Sequence, residues 1–133
     1  MHANETNNTN QKNHLIYPEL SYILTGISFD AHNTLGRYSR EKQYGDFIEN
    51  RLKELNIKYS REFVVSGDSN RIDFLIDDKI ILEPKAKRIL TKEDYYQTQR
   101  YLQQLDIKLG ILLNFRNQYL KPVRVIKIDK CSY

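Results

Sequence analysis

Cysteine occurs once in the 133 residues, at position 131, and histidine three times. A single thiol forms no internal disulfide, and a lone free thiol fits a reducing compartment. No cysteine or second histidine stands at zinc-ligand spacing from His32, which leaves that ring a capping or packing role. No apolar run approaches the roughly 18 residues of a membrane span. No basic segment followed by an apolar one opens the chain, as a secretory signal would, so the expected location is cytoplasmic. Also missing are internal repeats, a phosphate-cradling glycine loop and a serine–histidine constellation.

What remains is an ordinary globular composition, 40% hydrophobic, in a length that suits one domain burying roughly two-thirds of its unfolded surface. Residues 1–14 are rich in Asn and Thr with no apolar period, which predicts a disordered leader ahead of a domain spanning 15–133. Net charge is +4, and the excess is C-terminal: residues 116–133 hold five basic side chains and one acid. Such a strip solubilises a chain end; beside an acidic site it would also offset repulsion of a phosphate.

Apolar spacing predicts the elements. Leu20, Ile23, Leu24, Ile27, Ala31 and Leu35 recur at three and four after Pro18, with Gly36 able to close that helix in a left-handed cap. Ser39 can cap a second helix whose buried stripe is Tyr44, Ile48, Leu52 and Leu55; Glu41 extends the stripe backwards. A strand follows over 59–65. Thr91 and Asp94 open a third helix with the stripe Tyr95, Thr98, Leu102 and Leu105, and Gln97 and Tyr101 lie beside it. The run 109–115 reads as a strand buried on both faces, and 123–128 as an edge strand.

Residues 71–87 carry the chemistry. In the first half Ile72, Phe74 and Ile76 alternate onto one face and Asp73 falls on the other; in the second Ile81, Glu83 and Lys85 share a face. If Asp77, Asp78 and Lys79 form the loop, Ile76 pairs with Ile80 and Asp73 lies directly opposite Glu83. Like charges so placed repel, and the arrangement makes sense if a cation sits between them or a proton is shared. Oxygen-only ligands favour magnesium or manganese. A register slipped by one residue would instead separate the acids and leave Glu83 and Lys85 on a solvated face.

Asp73 followed by Glu83-x-Lys85 resembles the two-part active-site motif of the PD-(D/E)xK nuclease superfamily. Five further segments resemble, in order, motifs of the bacterial GxxExxY proteins, a branch of that superfamily. They are 17–22, 31–36, Glu41-x-x-Tyr44, Gln97-x-x-x-Tyr101-Leu102 and 109–115. Tyr38 stands where the family's naming glycine would be, Arg37 replaces its usual proline, and Pro84 sits inside the ExK motif, where it offers no backbone donor to a ladder expected mid-sheet.

The resemblance implies an α/β restriction-endonuclease-like fold, an αβββαβ core with a mixed β-sheet flanked by helices. It implies a magnesium- or manganese-dependent nuclease acting on nucleic acid, with DNA favoured over RNA. Asp73 and Glu83 would hold the metal, Glu41 would join them as a ligand or a holder of water, Lys85 would assist the attacking water, and Gln97 would orient water or phosphate. The competing expectation is an inert nuclease-fold module that binds nucleic acid or regulates.

Overall fold

The computed structural model describes residues 16–65, 67 and 70–129. The expected leader, Cys131 and three residues of the turn at 66–70 lie outside the described residues. The order is α1 (Pro18–Leu35), α2 (Glu41–Glu54), β1 (Tyr59–Val64), β2 (Arg71–Ile76), β3 (Ile80–Lys85), α3 (Lys92–Leu105), β4 (Leu109–Asn114) and β5 (Val123–Ile126). One mixed sheet of order β1-β2-β3-β4-β5 is antiparallel except between β3 and β4. A helix is needed to join parallel neighbours, and α3 fills that place. No described helix is long and apolar enough to cross a membrane.

Two apolar layers cover the sheet. Leu24 and Ile27 of α1 and Tyr44, Ile48 and Leu52 of α2 pack on one face, against Phe74, Ile76, Ile80 and Leu82. Tyr101 and Leu102 of α3 pack on the other, against Ile72, Leu75, Ile81 and Leu112. Between them β4 is buried along its whole length, as its apolar run predicts. At Gly110 a Cβ would come within 2.6 Å of Thr98 Cγ2, so only glycine lets α3 lie this close to β4.

The helix edges differ in places from the sequence reading. Ser39 does not cap α2; its hydroxyl donates to Leu35 O at 3.0 Å, and Gln43 Oε1 instead accepts the Arg40 N–H at 2.9 Å. The last carbonyls of a helix lack partners further along it, and at the end of α1 the Leu35 carbonyl takes that hydroxyl. Leu55 lies past the last turn of α2 and is 48% exposed. On α3 the inward stripe is Asp94, Thr98, Tyr101 and Leu102, whereas Tyr95 is turned to solvent. In its first turn Asp94 takes the inward place, its carboxylate accepting the Thr91 N–H at 2.7 Å and Lys87 Nζ at 2.9 Å, while Leu105 still packs on the core.

Candidate active site

At Asp73 the β2 strand loses its pairing on both sides. Toward β1, Glu62 adopts a left-handed φ of 55° and is skipped in a register that pairs Arg61 with Phe74 and Phe63 with Ile72. Toward β3 the pairs run Ile76–Ile80, Leu75–Ile81 and Phe74–Leu82, then stop. The Asp73 N–H donates instead to Glu83 Oε2 at 3.2 Å. A side chain thus replaces a strand, and the register expected from the Asp77–Lys79 loop brings Asp73 and Glu83 together.

The two-residue alternation breaks where this pairing opens, at Asp73 of β2 and at Glu62 of β1 facing it. Phe74 packs on the α2 side, while Phe63 and Ile72 pack on the α3 side. The expectation that Ile72 shares a face with Phe74 and Ile76 is corrected accordingly.

Pro84 costs the sheet little. Lys85 O accepts the Phe115 N–H at 2.9 Å, so the Lys85 backbone faces β4. Adjacent residues of a strand turn their backbone groups to opposite sides, so Pro84 faces β2, beyond the last recorded pair. The donor it lacks has no ladder bond to make there.

Glu83 is 3% exposed. Burial first, then the hydrogen-bonded charge of Asp73, pushes its carboxyl from 4.5 to about 9, against the opposing pull of Lys85 and the Asp73 amide. Without a cation the pair holds a proton at neutral pH, which is the shared-proton alternative posed by the sequence. Lys85 is half-buried and makes no ion pair among the described residues, whereas Lys87, two residues on, is bound to Asp94 at 2.9 Å. The two lysines of the Glu83–Lys87 run are therefore chemically distinct: one is open to an anion and the other ties a loop to α3.

Asp73 opens into a cleft of about 400 Å³ whose walls include Glu41, Lys42, Arg61, Glu62 and Pro84. Glu41, in the first turn of α2, accepts the Ala86 N–H at 3.3 Å, one residue beyond Lys85. Its position is set by Tyr44, one turn further along. That ring stacks on Phe115 at 4.1 Å, and its hydroxyl donates to Gly36 O and accepts the Ser39 N–H. The side chains of Asp73 and Glu83 meet, but among the described residues no three Asp, Glu, His or Cys groups converge as a metal cage. Gln97 is half-buried on α3, three residues after Asp94 and hence on the same side of the helix; it does not line the cleft wall that Glu41 and Asp73 share. His32 Nε2 lies 2.9 Å from Asn117 O, a packing role.

Sequence reasoning missed three contributors. Arg61, held by Asp46 at 2.7 Å and Glu49 at 3.0 Å, underlies the cleft, and a Cβ on Gly45 would strike its guanidinium. Glu62 supplies the strand break. Asn114, 2% exposed, donates from Nδ2 to Lys87 O at 2.8 Å and accepts the Lys87 N–H at 3.1 Å, fixing the segment after Lys85. Asn114 was the one visible of the three, as the polar residue closing an otherwise apolar run.

Comparison with curated proteins and with solved structures found no match. A family model described as the PD-(D/E)XK nuclease superfamily matches residues 18–126, from the first residue of α1 to the last of β5. The match spans the five-stranded mixed sheet, its three helices and the Asp73, Glu83 and Lys85 strands, and on it the chain belongs to the PD-(D/E)XK nuclease superfamily.

Proposed function

We propose that the protein is a nuclease hydrolysing phosphodiester bonds of nucleic acid, DNA ahead of RNA, in the cytoplasm, and that within its superfamily it stands with the GxxExxY proteins. The supporting observation is the pair of half-buried Asp73 and buried Glu83, followed two residues on by Lys85, which has no ion-pair partner among the described residues, at the point where β2 leaves its neighbours. Two facing carboxylates, one of them holding its proton because burial and its neighbour's charge disfavour ionisation, suit a divalent cation of the magnesium or manganese kind, which takes one or two carboxylates and fills its shell with water and phosphate oxygens.

Asp73 and Glu83 would hold that cation. Its chemistry when bound is to neutralise the phosphate and stabilise charge growing on the phosphoryl oxygens. Lys85 adds a second positive charge there and positions the attacking water. Glu41, across the cleft, completes the acidic pocket as a further ligand or as an acceptor for water. Gln97 of α3, outside the lining of that cleft, would orient water or phosphate from the α3 side of the sheet. Water joins phosphorus as the bond to the leaving oxygen breaks.

Purified protein assayed on DNA and RNA with magnesium or manganese should cleave, EDTA should abolish cleavage, and Asp73→Asn and Lys85→Ala prepared identically should lose it. Equal cleavage by all three proteins would mean contamination, and none by the wild type would leave the inert binding module.

A further inference from the structure

The loop between α1 and α2 and the turn after β4 are joined by two arginines. Arg37 Nε donates to Arg116 O at 2.9 Å, and Arg116 Nε donates to Arg37 O at 3.1 Å. Each guanidinium carbon stands over the ring of Tyr38, at 5.1 Å for Arg37 and 5.6 Å for Arg116. Tyr38 is nevertheless 74% exposed, so the two guanidinium groups leave most of it open to a ligand. Neither arginine has a carboxylate partner among the described residues, and only their Nε atoms are engaged. The Nη edges, which form the fork that matches phosphate oxygens, are left open.

An exposed aromatic ring beside two cations without carboxylate partners among the described residues has no evident part in folding. It makes no contribution to either apolar layer, and an exposed large side chain loses rotamer freedom when held. Its chemistry is that of a platform on which an unpaired base stacks while phosphates on either side meet arginine. A base within a duplex is already stacked on both faces and cannot use it. Tyr38 also precedes Glu41 by three residues, at most about 11 Å of chain, so one strand can touch both the platform and the cleft.

We infer that Arg37, Tyr38 and Arg116 form a binding site for single-stranded nucleic acid beside the cleft, Tyr38 stacking on a base and the two guanidinium groups taking its flanking phosphates. The inference rests on the nuclease reading only for its choice of ligand, and its test needs no turnover.

Binding of fluorescent oligo(dT), oligo(U) and a hairpin duplex is followed by anisotropy in EDTA. Tyr38→Ala should weaken binding of the single strands at least about fivefold and leave the salt dependence unchanged, because base stacking carries no counterions. Tyr38→Phe should restore wild-type affinity. Arg37→Gln, its melting temperature checked, should lower the slope of log K against log salt by about 0.7, the loss of one single-strand phosphate contact. Wild-type affinity in Tyr38→Ala would overturn the inference, as would a preference for the duplex or no binding of any strand. Failed cleavage with Tyr38-dependent binding would instead remove the nuclease reading and leave this site standing.

Discussion

Glu83 is the residue whose protonation state most constrains the molecule. Its folded carboxyl is raised to about 9 from 4.5, by burial and then by Asp73. A raised carboxyl means that the folded protein keeps a proton which the unfolded chain has released. Below about 4.5 both states hold it, and stability is independent of this group. Between 4.5 and 9 unfolding releases the proton, so stability falls as pH rises; above 9 both states are ionised and the loss stops. In EDTA the wild type should therefore melt progressively lower from pH 5 to pH 9, with this group contributing at most one proton, about 1.4 kcal/mol per pH unit. Glu83→Gln can still accept the Asp73 N–H and has nothing to ionise, so its melting curve should be flatter and lie above wild type at pH 8. Parallel pH profiles for the two would mean that the pair does not share a proton.

On the scale of elements, strand β1 holds the less expected device. Glu62 sits in the left-handed region at φ 55°, where a non-glycine residue costs about 1 kcal/mol and a β-branched one more. Glu62→Gly should melt at or above wild type, and Glu62→Val more than about 1 kcal/mol below it, as read by chemical denaturation. If Val is tolerated as well as Gly, the strand break does not depend on that conformation. This break also marks where sequence reasoning ended. Of the two registers that the sequence left open for β2 and β3, the structure has the one in which the three polar residues Asp77, Asp78 and Lys79 form the loop between the apolar runs. The face of Ile72 was not legible, since the opening of the ladder at Glu62 and Asp73 leaves no mark in a pattern of polar and apolar letters. Ser39 and Leu55 were misplaced because apolar spacing does not record where a helix ends: the Ser39 hydroxyl goes to Leu35 O at the end of α1, and Leu55 is the residue after the last turn of α2. Asp73, Glu83 and Lys85 could be found because acids in a buried apolar strand stand out; Arg61 could not, its role being to pair with Asp46 and Glu49 on another element.

For the whole molecule, a bound cation reads out as stability. A ligand that binds only the folded state adds RT ln(1 + [L]/Kd), about 1.4 kcal/mol at tenfold excess, enough to raise the melting temperature of a domain this size by several degrees. Manganese should produce that rise in the wild type. Asp73→Asn and Glu83→Gln should abolish it, while Lys85→Ala should keep or enlarge it by deleting a nearby positive charge. Equal shifts in all four proteins would mean binding to surface acids, and no shift at ten millimolar would mean that the pair holds no cation.

The reciprocal Arg37–Arg116 hydrogen bonds join segments 79 residues apart in the chain. Loops that gather a flexible ligand commonly become ordered as they bind, and the lost freedom is subtracted from the affinity. Here that freedom is given up once, when the domain folds. Whatever rests against these two segments meets a surface already in its final shape, so the adjustment on contact falls on the visitor and not on the host.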